Sequence, residues 1–310
     1  MVLLDKETAT IDQQFKRTLQ NILKLPVNSP SALVHFVAGS LPATALLHLK
    51  MLTLFGMICR LPDDPLNKHA RQVLLTRSLA PNSWFVSILY LLLQYRLPTP
   101  LTLLEHPPKK EVFKKHLKSK IIDFWEMKLR SDASFLPSLA YFHPQYMSLS
   151  SPHKLWTSAG SKPYEVSKAR VQLQFLASQY RCGQLTRHWS SEFSRGLCSY
   201  STGYQYNLTE TPEHLLLCCP AYDHTREKLL ALSQALPNQV SQSLVTNTLL
   251  TYSNSKIMQL LLDCSVLPEV ILCAQRHGDQ VYNDLFFIGR TWCYSIHRDR
   301  MKRRRLWKFR

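Results

Sequence analysis

Residues 210–229, ETPEHLLLCCPAYDHTREKL, place a histidine four and five positions before two adjacent cysteines, and a proline follows them. Thr211 is a favourable N-cap for a short helix, and the proline after it is tolerated in a first helical turn. Because Pro220 disfavours helical geometry at Cys219, the sequence predicts that this helix ends there and that another begins shortly afterwards. Cys219 is then free to turn back towards His214.

The composition of the whole chain also favours helices. Only 8 of the 310 residues are glycine, whereas globular proteins average roughly 7%. Tight hairpins need residues that adopt positive φ, so few hairpins are expected in a chain this poor in glycine. With 45% hydrophobic residues the chain can bury an extensive core. We therefore predict an all-α protein.

Apolar residues at helical spacing and the positions of the prolines predict where the helices lie. Phe113, Leu117, Ile121 and Phe124 form one apolar stripe, and Ser83 is a candidate N-cap. The stretch LPTPLTLLEHPP (97–108) is expected to be a loop. The predicted helices are the first 24 residues and residues 30–38, 41–60, 65–79, 83–95, 109–130, 163–180, 222–236, 239–251, 255–263, 268–276 and 279 into the C-terminal tail.

Residues 134–162 are rich in proline, serine and aromatic residues and have little periodicity, which is typical of a boundary between domains. We predict a helical segment over residues 1–133, a linker over 134–162 and a C-terminal helical domain over 163–310. The last domain is predicted to contain a small Cys/His finger at about 182–224 and a basic tail at 297–310.

The charge balance predicts a polyanionic partner, because 38 Lys and Arg against 21 Asp and Glu give a formal charge of +17. An unspecialised basic surface is the alternative. The longest uncharged run, 78–95, is interrupted by Pro81 and polar neighbours, so no membrane partner is expected. No signal peptide is recognised at the N-terminus, and the predicted localisation is nuclear and/or cytoplasmic, not secreted. Eight cysteines are then expected to be reduced thiols.

Two segments concentrate the positive charge: six lysines against one acid between residues 109 and 120, and eight basic residues against one acid between 298 and 310. Guanidinium groups pair with phosphates, and exposed aromatic faces stack on bases. The alternatives are a solvated lysine face and, for the tail, a nuclear-import signal or an end without a role. The predicted nucleic-acid contacts are Lys109, Lys110, Lys114, Lys115, Lys118, Lys120, Arg298, Arg300, Lys302, Arg303, Arg304, Arg305, Trp307, Lys308 and Arg310.

The cysteines and histidines around residue 214 form a candidate zinc site. Zinc prefers four thiolate or imidazole ligands, which are commonly supplied as two short-spaced pairs. Spacing offers three ligands, Cys198, His214 and Cys219, whereas Ser201 occupies the position where a second cysteine would complete the first pair. Buried cysteines without a metal are the alternative, since free cysteine packs as a small hydrophobe. The candidates for a fourth ligand are Cys218 or His224 and, more remotely, Cys182 or His188.

The stretch 210–229 resembles the cysteine–histidine motif that follows the polymerase domain in LINE-type (non-LTR) retrotransposon polyproteins. That pattern is Cys-x2-Cys, a short loop, then Glu-His-x4-Cys-Pro and a helix. Cys198, His214 and Cys219 align with it, Ser201 departs from it, and the loop is longer than usual. Three further blocks are similar to these polyproteins in the same order: AGSLPATALLHLKMLTLFGMI (38–58), KSKIIDFWEMKLRSDASFLPSLAYFHPQYMSLSSPHKLWTSAGSKPYEVSKARVQ (118–172) and FFIGRTWCYSIHRDRMK (286–302).

The resemblance implies a thumb-like helical bundle over residues 1–133, followed by a C-terminal domain with a degenerate finger. It implies a non-catalytic part of a reverse transcriptase that holds template RNA or target DNA during target-primed reverse transcription, in association with a polymerase core. The Asp63-Asp64 pair is interpreted as a turn rather than as a metal-binding catalytic pair.

Two other classes of function are weighed against this one. The first is a helical protein-interaction module, domesticated or inert, with an incidental basic surface. The second is a zinc enzyme, which would need an open metal position beside a general base. Glu213 is the only adjacent acid, and it is more simply a favourable charge at a helix start, so no enzymatic activity is predicted.

Overall fold

The computed structural model describes residues 5–62, 64, 83–136, 139–182, 197–198 and 208–307, and it confirms the all-α class. Within these ranges the chain forms helices and turns, with one isolated antiparallel bridge between Leu197 and Thr209. The α-helices are α1 (Asp5–Leu23), α2 (Ser31–Ala38), α3 (Ala43–Cys59), α4 (Trp84–Gln94), α5 (Pro100–Glu105), α6 (Lys110–Ser134), α7 (Lys154–Ala159), α8 (Pro163–Leu176), α9 (Asp223–Gln234), α10 (Gln239–Thr251), α11 (Asn254–Asp263), α12 (Pro268–His277) and α13 (Gln280–Trp307). Short 3-10 helices lie at Pro144–Tyr146, Pro220–Tyr222 and Cys264–Val266.

The long helix α6 packs against α2 and α3 through the apolar stripe that the sequence predicts. Phe113, Leu117 and Ile121 are buried, and Trp125 and Leu129 continue the stripe at the same spacing. Phe124 lies one position off this stripe and is only half-buried. The stripe therefore fixes which face of α6 points into the core and leaves the remaining faces to solvent.

The C-terminal helix α13 is the centre of the second half of the structure, because α7, α8, α9, α11 and α12 all pack against it. Gly289 permits a close approach of α11, since a Cβ atom at this position would lie 2.3 Å from the carbonyl oxygen of Leu261. On the other side, Arg290 donates a hydrogen bond of 2.8 Å to Glu165 of α8. The helix that carries the basic tail is thus firmly embedded over its first half.

The predicted linker 134–162 is packed. It contributes Leu139, Phe142, Met147 and Leu149 to one hydrophobic cluster whose members run from α1 to α13. Its irregular sequence forms one 3-10 turn and the short helix α7. The division of the chain into two domains at this segment stays a prediction.

The prediction of a loop at 97–108 is wrong, because Pro100–Glu105 forms a helix. The side chain of Thr99 accepts a hydrogen bond of 3.3 Å from the backbone of Thr102, and Pro100 occupies the first helical turn. This cap explains why so short a segment is helical. The N-cap role of Ser83 is confirmed by a bond of 3.2 Å from Val86. The predicted helix at 65–79 and the Asp63 half of the acidic pair lie outside the described residues.

No individual helix among the described residues combines the length and apolar character needed to cross a membrane. Two helix pairs reach that length and apolar character only when their members are joined across a bend; they are α2 with α3, and 254–266 with α12.

Candidate metal centre

Cys198, His214 and Cys219, which sequence spacing predicts as ligands, are brought together in the structure. Their candidate ligand atoms all lie within 4.8 Å of one another, and all three residues are buried. The two sulfur atoms are 3.7 Å apart. Two thiolates on a tetrahedral zinc ion with Zn–S bonds of about 2.3 Å lie about 3.8 Å apart, so this separation fits a shared metal ion. The group can therefore hold a metal ion.

A π-helical turn creates this geometry. The side chain of Thr211 accepts a hydrogen bond of 3.0 Å from the backbone of His214, which confirms the predicted N-cap. From His214 to Cys218 the helix widens, and the backbone N–H of Cys219 donates to the carbonyl of His214 at 2.7 Å. In a regular α-helix positions five apart are about 140° apart around the axis. The wider turn, together with the extended backbone at Cys219 before Pro220, brings Cys219 to the side of His214.

Cys198 reaches the same point from a separate part of the chain. The bridge between Leu197 and Thr209 and a hydrogen bond of 2.8 Å from the Cys198 N–H to the Leu208 carbonyl hold it beside the start of the π turn. Cys198 and Leu208, the described residues on either side of 199–207, are thereby held against each other. This pairing explains how Cys198 comes close to His214 although 15 residues separate the two in the chain.

The imidazole of His214 lacks a partner of the kind that buried polar groups normally have among the described residues. The Nε2 atom of His214 is buried, and no described atom forms a hydrogen bond with it. The hydrogen bond with Cys198, followed by burial, raises the pKa of the Cys219 thiol. An unsatisfied buried imidazole nitrogen is costly, and coordination of a metal ion would satisfy it. Metal binding here would release thiol protons.

The structure does not bring the two proposed fourth ligands into this cluster. Cys218 is exposed at the end of the π turn, and His224 is exposed in the first turn of α9; neither belongs to the ligand group. Cys182 is buried but does not belong to the group. Both proposals, Cys218 and His224, are therefore corrected for the described conformation, while Ser201 and His188 lie outside the described residues.

Hydrogen bonds from α13 and α9 hold residues 210–219 in place, and Arg300 is the only one of these partners that the sequence predicted as a site residue, there as a phosphate contact. Glu210 and Arg300 form a buried ion pair with bonds of 2.6 and 3.2 Å, and Arg300 also donates to the carbonyl of Arg181 at 2.5 Å. The indole of Trp292 donates to the carbonyl of Leu216, inside the π turn, at 3.1 Å. Arg226 of α9 donates to the carbonyl of Cys219 at 2.6 Å. Nothing in the local sequence distinguishes these arginines from solvated ones.

The predicted phosphate-binding lysines lie on α6 or at its start. Lys109, Lys110, Lys114, Lys115 and Lys118 are exposed, whereas Lys120 is half-buried. Lys110, Lys114 and Lys118 are spaced by four residues and so share one side of the helix. These lysines can reach a ligand in solvent while the opposite stripe anchors the helix.

The basic tail is more divided than the sequence indicates. Arg298, Lys302 and Arg303 are exposed, and Arg303 donates to the carbonyl of Ala221 at 2.7 Å. Arg300 is only 2% exposed and is paired with Glu210, so the prediction that Arg300 contacts phosphate is corrected. A cation whose hydrogen bonds are used inside the protein cannot also reach a strand outside it. The side chains of Arg304, Arg305, Trp307, Lys308 and Arg310 lie outside the described part of the structure.

Comparison of the chain with protein-family models, with curated proteins and with solved structures found no match.

Proposed function

We propose that this chain binds RNA or DNA without catalysing a reaction on it, as the C-terminal region of a LINE-type reverse transcriptase polyprotein does. In this proposal the exposed lysines of α6 and the exposed cations of the tail contact phosphates. One zinc ion, held by Cys198, His214 and Cys219, fixes the corner between the π turn and α9. The role is to hold template RNA or target DNA beside a polymerase core.

The observation that carries the proposal is the arrangement of charge on α6. Five of the six clustered lysines are exposed, and one face of the same helix is locked into the core through Phe113, Leu117 and Ile121. A rigid helix with cations at four-residue spacing presents several donors to a phosphate backbone without first having to fold. Each cation that neutralises a phosphate releases a condensed counterion, and this release favours binding at low salt.

The zinc part of the proposal is supported by the chemistry of the ligand set. Two cysteines and one histidine are typical zinc ligands, and the separation of the sulfur atoms matches a tetrahedral edge. Three protein ligands would leave one coordination position for a water molecule or for a side chain supplied by residues outside the described ranges. The ion would replace the missing partner of His214 and join three separate stretches of backbone.

A protein-interaction module is the second candidate, and the outer face of α4 favours it. Leu89, Tyr90 and Leu93 are 37%, 67% and 65% exposed. Exposed apolar side chains on one helix are a common feature of surfaces that contact other proteins. Such a surface is compatible with association with a polymerase core and does not need nucleic acid.

The experiment is to measure the affinity of the purified chain for a short single-stranded RNA and for a duplex DNA across a series of salt concentrations. Bound zinc is quantified in the same preparation. We expect affinity to fall steeply with salt and zinc to be near-stoichiometric. The triple variant Lys114→Gln/Lys115→Gln/Lys118→Gln should lower the slope of log affinity against log salt on RNA by about 2, because about 0.7 counterions are released per contact.

A matched control removes the same charge elsewhere, in the variant Lys50→Gln/Lys228→Gln/Arg276→Gln, whose three residues are exposed on α3, α9 and α12. If both triple variants change the slope equally, the exposed lysines of α6 are not the binding site. Weak, salt-insensitive binding without metal would overturn the proposal and favour the interaction module.

A further inference from the structure

A cleft of about 500 Å³ opens where the C-terminal ends of α1 and α8 meet the second half of α13. Asn21 and Lys24 line it from α1, Gln179 and Arg181 from the segment after α8, and His297 from α13. No acidic residue is among the described residues that line it. A volume of this size accommodates a small ligand such as a nucleotide, for which typical sites measure roughly 300–1,000 Å³.

Several carbonyl groups at the helix ends of this cleft already accept hydrogen bonds, which reduces their repulsion of an anion. Both helices end in the same Schellman motif, with Lys24 and Ser178 in the left-handed conformation at φ 57° and 51°. The N–H of Leu25 donates to the carbonyl of Gln20, and the N–H of Gln179 donates to that of Gln174, both at 2.9 Å. Arg170 also donates to the carbonyl of Ile22 at 3.2 Å. The negative ends of the two helix dipoles are therefore partly covered.

The groups left facing the cleft are mainly donors. Lys24 and Arg181 are exposed and form no ion pair with any carboxylate of the described residues. The amide oxygen of Gln179 accepts a bond of 2.6 Å from Ser29, which leaves its amide nitrogen as the group for a ligand. Arg300 lies beneath them, neutralised by Glu210, and holds the carbonyl of Arg181 at 2.5 Å. The backbone that carries Arg181 is thus fixed to a buried ion pair.

We propose that this cleft binds the phosphate group of a nucleotide, with Lys24 and Arg181 as its charged contacts and Gln179 as a neutral donor. Ammonium and guanidinium groups are the donors that phosphate prefers in proteins. The cleft adjoins the part of α13 that carries the exposed Arg298 and Lys302, so a strand on the tail can place a phosphate in it. The phosphate can belong to the end of a strand or to a free mononucleotide.

The conformation of Lys24 provides a selective test. Its left-handed backbone is disfavoured for any residue with a Cβ atom and is readily adopted by glycine, so Lys24→Gly removes the charge without disturbing the turn. Arg96 occupies the same position of the same motif at the end of α4, with φ 53°, and does not line the cleft. Arg96→Gly therefore removes one charge and one strained residue elsewhere, which makes it a matched control.

The inference rests on the proposed function only in taking the ligand to be a nucleotide. The probes are a short single-stranded RNA with a 5′-phosphate, the same RNA with a 5′-hydroxyl, and adenosine monophosphate. We compare the wild-type chain, the double variant Lys24→Gly/Arg181→Gln, and the control Arg96→Gly/Arg276→Gln. We expect the double variant, and not the control, to lose about tenfold in affinity for the phosphorylated RNA or for the mononucleotide.

The results separate this inference from the proposed function. If the wild type and the control prefer the 5′-phosphorylated RNA over the 5′-hydroxyl RNA, and the double variant does not, the cleft binds strand ends. Mononucleotide binding that depends on Lys24 and Arg181, without RNA binding, supports the cleft and overturns the proposed function. Salt-dependent RNA binding that both double variants weaken equally overturns the cleft and leaves the proposed function standing. No binding of any probe overturns both.

Discussion

Cys218 and Cys219 are adjacent in the chain and chemically identical, yet the structure gives them opposite environments. Cys219 is fully buried, 3.7 Å from the sulfur of Cys198, whereas Cys218 is exposed. The difference comes from a single π turn followed by a proline, which rotates the second cysteine towards His214. π turns inside helices are frequent at functional sites.

We predict that Cys219→Ser abolishes stoichiometric zinc binding and that Cys218→Ser leaves it unchanged. Serine is close in size to cysteine but is a poor zinc ligand, so the comparison isolates coordination from packing. The measurement is the zinc content of each purified variant after dialysis against a weak chelator. Equal zinc loss in both variants would show that the metal does not sit in the cluster with Cys198 and His214.

Gly39 illustrates a residue that both backbone conformation and close packing require. It ends α2 at φ 61°, in the position that Lys24, Arg96 and Ser178 occupy at other helix ends. Unlike the surroundings of those residues, its own leave no space, because a Cβ atom would lie 2.1 Å from the backbone of Ser151. We predict that Gly39→Ala lowers the free energy of unfolding by about 3 kcal/mol, through strain and overpacking together.

The control for this prediction is Arg96→Gly, which changes the same motif in the opposite direction and should alter stability by less than about 1 kcal/mol. Urea denaturation of both variants, monitored by circular dichroism, measures the difference. A small effect of Gly39→Ala would mean that the segment around Ser151 can move away from α2.

At the scale of elements, α13 connects the candidate metal centre to the rest of the protein. It contacts the π turn through Trp292 and the residue before Thr211 through the Arg300–Glu210 pair. In the sequence Arg300 is one of many tail cations, because a run of arginines does not reveal which one is buried. The position of the corner relative to the tail thus depends on a buried charge pair.

We predict that Glu210→Leu destabilises the fold by about 3–5 kcal/mol, because it leaves the charge of Arg300 buried without a partner. The double variant Glu210→Leu/Arg300→Met should recover most of this loss, since it removes both charges and keeps the volume apolar. Urea denaturation measures the free energy of unfolding of the wild type and of the two variants. If the double variant is no more stable than Glu210→Leu, the pair is not the source of the effect.

At the scale of the whole molecule, the half-buried Glu165 and the buried Asp263 hold helices of a highly cationic chain together. Burial acts to raise the pKa of Glu165. The hydrogen bonds and charges of Arg290 and Lys168 outweigh burial and lower this pKa below its ordinary value of 4.5. Burial also acts to raise the pKa of Asp263, but the interaction with His153 and the hydrogen bonds from Ser265 outweigh burial and lower this pKa below its ordinary value of 3.8. Both groups are charged at neutral pH and link α7, α8, α11 and α13.

A carboxylate with a depressed pKa in the folded state contributes stability that is complete above its unfolded pKa and is lost as pH falls through the lower folded value. We therefore predict that stability declines below about pH 4.5, where protonation also increases the repulsion within a chain of formal charge +17. Glu165→Gln should cost about 2 kcal/mol at pH 7 and much less at pH 3.

Thermal and urea unfolding of the wild type and Glu165→Gln at pH 7 and pH 3 tests whether the stability that Glu165 contributes is lost as pH falls. An effect of Glu165→Gln that is the same at pH 7 and pH 3 would show that packing, not charge, is responsible.

The sequence by itself determined the helical class, most helix positions, the N-caps at Ser83 and Thr211, and the trio Cys198, His214 and Cys219. These follow from short-range physics, because capping, proline geometry, apolar periodicity and ligand spacing act within a few residues. Tertiary structure alone decided which cations are available: Arg300 is buried against Glu210, whereas Lys114 and Lys118 face solvent. It also decided that residues 134–162 pack into the core and that the ends of α1 and α8 meet in a cleft. Those outcomes depend on contacts between residues about 90 or more positions apart, such as the pair Arg300–Glu210, which no local pattern encodes.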